Sequence, residues 1–304
     1  MPRSPLVLAA LASAARSGLV PVVTRPAATT GTDFDTAVVT DDQNRHWVVR
    51  APTSVAAGAS LESELSLLRG LRDPTRTVLP FQVPDPTTTV DLPEGGRAMV
   101  YRYLAGEPLH PGDLSAGLGA ALGTALAALH EVPRSVVEDA GLPAYEAEEY
   151  RTRRMAELDR AAATGHVPSA LLTRWEQALE DVGRWRFQST VVHGDLVAEH
   201  VLVDDGRVVG VLDWAEAKVA DPADDLAWVA VGADASALDS VLEAYAMARA
   251  DQPDRHLAVR ARLAGELALA RWLLHGVRTD DAGVVDDAVE MLRELAADVA
   301  TDPL

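Results

Sequence analysis

Residues 191–228, VVHGDLVAEHVLVDDGRVVGVLDWAEAKVADPADDLAW, decide how the chain folds. Two apolar runs, 201–203 and 208–212, flank the tripeptide Asp204-Asp205-Gly206. An Asp-Gly pair between two short apolar runs is a strong local signal for a β-hairpin. The sequence therefore predicts a hairpin in this stretch, with a loop before its first strand and a chain reversal after its second.

Four polar side chains flank this hairpin. Asp195 lies in the loop before the first strand, and Asp213 lies where the second strand ends. Folding of the hairpin is expected to bring both carboxylates close to His193 and His200. A base, two candidate metal ligands and a positioning histidine at these offsets predict a phosphoryl-transfer site.

Length and composition narrow the class of protein. A chain of 304 residues predicts about two domains, or one domain with two lobes. A formal charge of -19 argues against nucleic acid as a partner and favours a small cationic or neutral substrate. Without cysteine, neither a disulfide nor a thiolate metal site can form, which fits a reducing cytoplasm. No apolar run is long enough for a membrane span.

The first residues leave two alternatives open. An arginine, an apolar run and Ala-Ser-Ala fit a signal peptide. The favoured interpretation is a helix, with Ser4 as its cap, Pro5 at its first position and Ser17-Gly18 at its end.

The remaining pattern predicts an α+β protein with a small antiparallel-sheet lobe (1–103), a hinge near 101–106 and a larger helical lobe (104–304). Strands are expected at 19–23, 34–40, 46–50, 78–83 and 97–103. Helices are expected at 60–71, 114–130, 144–163, 169–185, 224–231, 235–249, 255–277 and 282–299. Ser60 is the expected cap of the helix inserted in the sheet lobe. A nucleotide cleft is expected where the two lobes meet.

The motif series in the second half resembles the aminoglycoside phosphotransferase family of kinase-like enzymes. The matching residues are His193-Gly-Asp195-Leu, His200, Asp213-Trp214, Asp221-Pro222 and Asp225-Leu226. The usual family member has asparagine where this chain has His200, and most relatives have lysine where it has Arg50. These departures, with residues 213–218 (DWAEAK) and 31–34 (GTDF), are similar to the macrolide 2′-phosphotransferase branch.

The resemblance implies transfer of the γ-phosphate of GTP, with ATP as the alternative donor, to the desosamine 2′-hydroxyl of a macrolide. Asp195 would be the catalytic base, and Asp213 and His200 would bind Mg²⁺. Imidazole suits Mg²⁺ less well than oxygen does, so a structural role for His200 stays open. Arg50 would hold the α- and β-phosphates with Glu64 as its partner, since no lysine is available in the first lobe.

The remaining nucleotide contacts are expected from two loops. Thr29, Thr30 and Gly31 could lay backbone N–H groups over the phosphates, although most such turns are only turns. A bulky Tyr101 behind the nucleobase would favour guanine over adenine. The guanine would bind through backbone groups of Arg102 and Leu104.

The substrate side is less specific. The protonated amine of desosamine would suit acidic side chains of the second lobe. The candidates are Glu146, Glu148, Glu149, Asp280 and Asp281. Alternatives are an aminoglycoside or metabolite kinase of the same fold, a non-catalytic nucleotide-binding module, and a metallohydrolase using the histidines. The sequence carries no oligomer signature, so a monomer is expected.

Overall fold

The computed structural model describes residues 2–27, 33–74, 77–251 and 254–299. The chain divides into two compact units. The first comprises Met1–His110, Val132–Pro143 and Ala198–Ala217, and the second comprises Pro111–Glu131, Ala144–Val197 and Lys218–Leu304. These two units are not the two predicted lobes, because the hairpin region belongs to the first unit although it lies after residue 103. The lobe boundary near residue 103 stays a prediction.

A five-stranded antiparallel sheet forms most of the first unit. Its strands are β1 (Pro21–Pro26), β2 (Phe34–Asp41), β3 (His46–Pro52), β4 (Thr89–Asp91) and β5 (Arg97–Arg102), in the order β1-β2-β3-β5-β4. Helix α1 (Pro5–Ala15) packs its buried face against alternate residues of this sheet, Val39 and Val49 among them. Because side chains alternate along a strand, the even-numbered positions of β3 point to the opposite face. Arg50 and Val48 lie on that face, paired with Met99 and Tyr101 of β5.

The hairpin is confirmed. Strand β8 (Val201–Asp204) pairs antiparallel with β9 (Arg207–Val211), and the short β6 (Glu107–Pro108) adds a third strand. The turn residues Asp205 and Gly206 have φ angles of 47° and 71°. Positive φ at both central residues is what a two-residue hairpin turn of matching twist requires.

Helices dominate the second unit. They are α3 (Ala116–His130), α5 (Ala147–Ala163), α6 (Ser169–Glu180), α7 (Ala223–Gly232), α8 (Ala235–Ala248), α9 (Leu257–Thr279) and α10 (Ala282–Asp298). Helices α2 (Val55–Leu71) and α4 (Ser135–Glu138) belong to the first unit. The second unit also contains two short paired strands, β7 (Thr190–Val192) and β10 (Lys218–Ala220).

Close packing of α3 on α8 depends on glycine. A Cβ atom at Gly123 would lie 2.2 Å from the carbonyl oxygen of Val241, so no larger residue fits there. This approach brings the end of α3 and the last turn of α8 together, where His130 contacts Tyr245.

Several boundaries differ from the sequence prediction. The first helix is confirmed, since Ser4 accepts a hydrogen bond from Val7 N and Pro5 is its first residue. Helix α2 begins five residues before the predicted start, because Ser54 rather than Ser60 caps it. The predicted strand at 78–83 is wrong. Only Gln82 forms an isolated bridge, to Gly210, and the prolines at 80 and 84 lack the N–H groups that a longer ladder needs.

Two further corrections concern the second half of the chain. The predicted helix 169–185 ends at Glu180 and continues as a separate 3-10 turn, Val182–Trp185. The sequence prediction missed β4, β6, β7, β10 and α4, all of four residues or fewer. Within the described residues, no helix combines the length and apolarity needed to cross a bilayer.

Candidate active site

Arg50 is the centre of a charged cluster in the first unit. One guanidinium nitrogen, Nη1, donates to both carboxylate oxygens of Glu64, at 2.9 and 3.0 Å. The other, Nη2, donates to Oδ1 of Asp213 at 3.0 Å. The guanidinium also lies 4.2 Å from the centre of the Phe34 ring. One arginine on β3 therefore links Glu64 of α2 to Asp213, which lies two residues after the end of β9.

Glu64 is a fully buried carboxyl whose partners are all polar. Burial raises the pKa of Glu64, against the opposing effect of the Arg50 charge. The backbone N–H of Trp214 adds a hydrogen bond of 3.3 Å to the same carboxylate. Burial tends to lower the pKa of Arg50, but the charges of Glu64 and Asp213 hold it above its ordinary value. Arginine stays charged here, which suits an ion pair that is sealed from water.

Asp213 and His200 form the candidate metal site. Asp213 has a φ of 61°, a conformation that aspartate adopts more readily than most residues, and its side chain is 41% exposed. Its Oδ2 lies 3.8 Å from Nε2 of His200, and the His200 carbonyl accepts a hydrogen bond from Leu212 N.

The donor set at this pair fits a divalent cation in part. The carboxylate of Asp213 fits Mg²⁺, whereas the imidazole of His200 suits a softer first-row metal better. Among the described residues, no group of three or more candidate metal ligands occurs. Phosphate oxygens and water would therefore have to complete the coordination of any ion bound here.

The segment that is predicted to contact the guanine of the nucleotide lies at the end of β5. Tyr101 is buried on the same sheet face as Arg50, and burial raises the pKa of its hydroxyl above the ordinary value. The Arg50 charge acts on this hydroxyl in the opposite direction, so the two groups are neighbours. Arg102 points to the other face and lies over the Trp47 ring at 5.2 Å, while Leu104 is buried. Thr29, Thr30 and Gly31 fall outside the described residues.

Asp195 lies in the second unit, in the loop that follows β7. Asp195 is exposed, but hydrogen bonds to a buried carboxylate hold the backbone just before it. The N–H groups of His193 and Gly194 donate to the two carboxylate oxygens of Asp225, at 2.8 and 2.9 Å. Gly194 has a φ of 82°, so its backbone turns the following aspartate outward in a conformation that favours glycine.

Asp225 is a buried carboxylate at the base of this loop. Burial alone would raise the pKa of Asp225, but the hydrogen bond from His130 and the nearby imidazoles hold it below its ordinary value. Nε2 of His130 lies 3.1 Å from Oδ2 of Asp225, and its Nδ1 lies 2.8 Å from the hydroxyl of Tyr245. This chain of contacts connects α8 and α3 to the loop through α7.

The sequence gives little signal for this support. Asp225 belongs to the motif series, which assigns it no role, and neither His130 nor Tyr245 belongs to a motif. His130 is 95 residues from Asp225 in sequence, so no local pattern marks the contact. A histidine at the predicted end of an apolar helix is a weak signal that only the packing of α3 makes specific.

The acidic candidates for substrate binding have structural roles in part. Glu148 pairs with Arg151 at 2.7 Å, and Asp281 caps α10 by accepting from Gly283 and Val284. Asp280 ends α9 in the left-handed conformation. Glu146 directly precedes α5 and Glu149 lies exposed in its first turn.

The structure thus gathers the predicted residues into two groups. Arg50, Glu64, His200 and Asp213 lie in the first unit, and His193 and Asp195 lie in the second. The first group can hold phosphate and a cation, because it offers an arginine and a partly exposed carboxylate. The second presents a carboxylate that can accept a proton.

Comparison with known proteins indicates a phosphotransferase. The sequence profile of the phosphotransferase enzyme family matches residues 25–263. The chain superposes on the crystal structure of macrolide 2′-phosphotransferase MphH from Brachybacterium faecium with a TM-score of 0.80, and the two sequences are 29% identical. The match covers 93% of this chain and 97% of MphH. The predicted antiparallel sheet with a larger helical part is thereby confirmed as the kinase-like fold of this family.

Two curated relatives match by sequence alone. Viomycin phosphotransferase of Streptomyces vinaceus is 32% identical in an alignment of 216 positions that covers 57% of this chain and 75% of the relative. The uncharacterized protein YcbJ of Bacillus subtilis is 32% identical in an alignment of 214 positions that covers 64% of this chain. The match spans 66% of the length of YcbJ, so it leaves about a third of that relative unmatched.

Proposed function

Because the chain belongs to the phosphotransferase enzyme family, we propose that it transfers the γ-phosphate of GTP to the 2′-hydroxyl of a macrolide's desosamine. The observation that carries the proposal is the Arg50 cluster. A buried arginine there binds a glutamate and the candidate metal carboxylate at once. Phosphoryl transfer needs this combination of a fixed cation and a metal-binding oxygen, because its demand is mainly for positioning and charge compensation.

Each predicted residue has a defined part in the proposed reaction. Asp195 accepts the proton of the sugar hydroxyl as the hydroxyl oxygen forms its bond to the γ-phosphorus. The bond from that phosphorus to the bridging oxygen breaks, and GDP leaves. Arg50 binds the α- and β-phosphates through the guanidinium, held in place by Glu64. Mg²⁺ at Asp213 and His200 would neutralise charge on the β- and γ-phosphates.

The preference for GTP is proposed from Tyr101. Its side chain is buried on the sheet face that carries Arg50, and we propose that it fills the space behind the guanine. Guanine would then bind at the edge of the strand through backbone groups of Arg102 and Leu104. A smaller residue at position 101 should widen the acceptance of ATP. Thr29, Thr30 and Gly31 are proposed to cover the phosphates.

The macrolide assignment rests on two supports. MphH, which is similar over nearly the whole chain, is a macrolide 2′-phosphotransferase. A charge of -19 suits the protonated amine of desosamine, and acidic side chains of the second unit, such as Glu146 and Glu149, are the proposed contacts. We propose a monomeric enzyme that acts in the cytoplasm, where nucleoside triphosphates are available, and that confers macrolide resistance.

A second acceptor class has its own support. Viomycin phosphotransferase is 32% identical to the chain, so another antibiotic, such as viomycin or an aminoglycoside, is the alternative substrate. A non-catalytic nucleotide-binding module is disfavoured, because such a protein normally lacks the base or the metal carboxylate. Asp195 and Asp213 are both present.

A coupled assay for nucleoside diphosphate release tests the proposal. GTP and ATP are crossed against erythromycin, viomycin and kanamycin in the presence of Mg²⁺. Turnover that requires GTP and erythromycin is the expected result. Turnover with viomycin or kanamycin alone would retain the phosphotransferase and reject the macrolide. No turnover with any pair would reject antibiotic phosphorylation.

A further inference from the structure

Lys218 occupies a special place in both composition and structure. The chain has 27 lysine and arginine residues, and Lys218 is the only lysine among them. It begins β10, where it pairs with Val192 of β7. Strand β7 leads directly into the loop of Asp195, so Lys218 lies beside the start of that loop.

The ammonium group of Lys218 contacts the loop itself. Its Nζ lies 3.4 Å from the carbonyl oxygen of Gly194, to which it donates. Gly194 is therefore held at both ends of its backbone, since its N–H donates to Asp225 at 2.9 Å. The carbonyl of Gly194 and the N–H of Asp195 belong to one planar peptide group. Fixing the carbonyl therefore fixes the backbone from which the Asp195 side chain projects.

A second group places this ammonium in a constrained site. The carboxylate of Asp224 is buried and accepts hydrogen bonds from Arg154, at 2.9 Å, and from the Tyr150 hydroxyl. Burial would raise the pKa of Asp224, but the charges of Arg154 and then Lys218 hold it below its ordinary value. The ammonium of Lys218 thus contacts the loop carbonyl and is near enough for its charge to act on Asp224, a carboxylate that Arg154 of α5 already binds.

We propose that Lys218 is a positioning residue for the catalytic base, and that its compact ammonium cannot be replaced by a guanidinium. The inference rests on the proposed function in one respect, that Asp195 is the base. A guanidinium is planar and wider than an ammonium and prefers two parallel acceptors, so at position 218 it would displace the Gly194 carbonyl that the ammonium contacts at 3.4 Å. Displacement of a catalytic group by about 1 Å can cost about a hundredfold in rate.

The chain permits a clean chemical test, because it contains neither cysteine nor a second lysine. Lys218→Met and Lys218→Arg should each lower kcat by about 10- to 100-fold and leave the KM for the nucleotide within about twofold. Lys218→Cys followed by alkylation with 2-bromoethylamine rebuilds an ammonium of nearly the same length. This product should recover most of the kcat, whereas alkylation with iodoacetamide should recover none.

Arg207→Met is the matched control, since it removes an exposed cation from the start of another short strand. It should leave kcat and KM unchanged. A Lys218→Arg variant with wild-type kcat would overturn the requirement for an ammonium. Failure of aminoethylation to restore kcat after complete labelling by intact mass would overturn the positioning role.

Amide hydrogen exchange separates this inference from the proposed function. In Lys218→Met, the segment 193–197 should exchange about tenfold faster than in the wild type, while the strands of the first unit keep their protection. Unchanged exchange in that segment would overturn the inference whatever the activity. If the wild-type protein phosphorylates no antibiotic, the proposed function fails, and the exchange experiment still decides whether Lys218 holds the loop.

Discussion

The Arg50 cluster and the Asp195 loop organise their charges in opposite ways. In the cluster, the candidate functional side chains bind one another, since Arg50 contacts both Glu64 and Asp213. In the loop, the candidate base Asp195 is exposed, and the buried Asp225 holds the backbone just before it.

The difference separates two ways of preparing a site. Under the proposed function, Arg50 would exchange its contact with Asp213 for contacts to phosphate when the nucleotide and a cation bind. The backbone contacts to the buried Asp225 would stay in place, so the loop would be prepared before binding. The first arrangement should be sensitive to changes of charge, and the second to changes in the buried support.

The largest expected effect is in the cluster. Arg50→Met should lower the free energy of unfolding by about 3–5 kcal/mol, because Glu64 is left as an unpaired buried charge. Adding Glu64→Leu should restore most of that stability without restoring turnover, and urea unfolding with a kinetic assay would measure both. Arg97→Met, which breaks an exposed pair with Glu62, is the control and should cost at most about 1 kcal/mol. A double variant as unstable as Arg50→Met would contradict this account of the cluster.

In the loop, Asp225→Asn should cost about 1.5–3 kcal/mol, the range for hydrogen bonds to a charged acceptor. It should also lower kcat, because the backbone before Asp195 loses its charged anchor. Chemical denaturation and steady-state kinetics on one preparation test this. Full stability together with full activity would show that the loop does not depend on Asp225.

A smaller effect is expected further from the loop. Tyr245→Phe removes the hydroxyl that contacts Nδ1 of His130, and it should cost about 0.5–1.5 kcal/mol. Activity should fall by less than in Asp225→Asn, since the contact of His130 with Asp225 remains. Thermal unfolding gives the stability change, and a Tyr245→Phe variant more damaging than Asp225→Asn would reverse the proposed order of support.

The smallest effect depends on pH. The pKa of Asp225 lies below its ordinary value of 3.8. A lowered pKa contributes stability that is fully present above the unfolded value and is lost as the pH falls through the folded value. The stability difference between wild type and Asp225→Asn should therefore be constant near neutral pH and narrow below about pH 4. A stability difference that grows as the pH falls would contradict the conclusion that Asp225 is charged in the folded protein.

The parts of this molecule that sequence predicts are local. The hairpin follows from an Asp-Gly turn between apolar runs, and the resemblance together with the absence of lysine in the first lobe singled out Arg50 and its partner Glu64. The start of α2 was misplaced because Ser54 and Ser60 can both cap a helix, and the buried Ala57 lies in the added turn.

The parts that sequence missed depend on distant contacts. His130 meets Tyr245 across 115 residues, and that meeting depends on how closely α3 packs on α8. The pairing of β7 with β10 joins segments only three residues long, too short for a periodic pattern to mark. Such contacts become visible only when the helices are placed, and they are the ones that support Asp195.

The most direct test of the central claim is the kinetics of Asp195→Asn with GTP and erythromycin. Asp195 is exposed, so its replacement should leave the unfolding temperature and the KM for GTP close to those of the wild type. Loss of the base should lower kcat by about 10²- to 10⁴-fold. A variant that keeps its stability and its wild-type kcat would contradict the assignment of Asp195 as the base of a phosphoryl transfer.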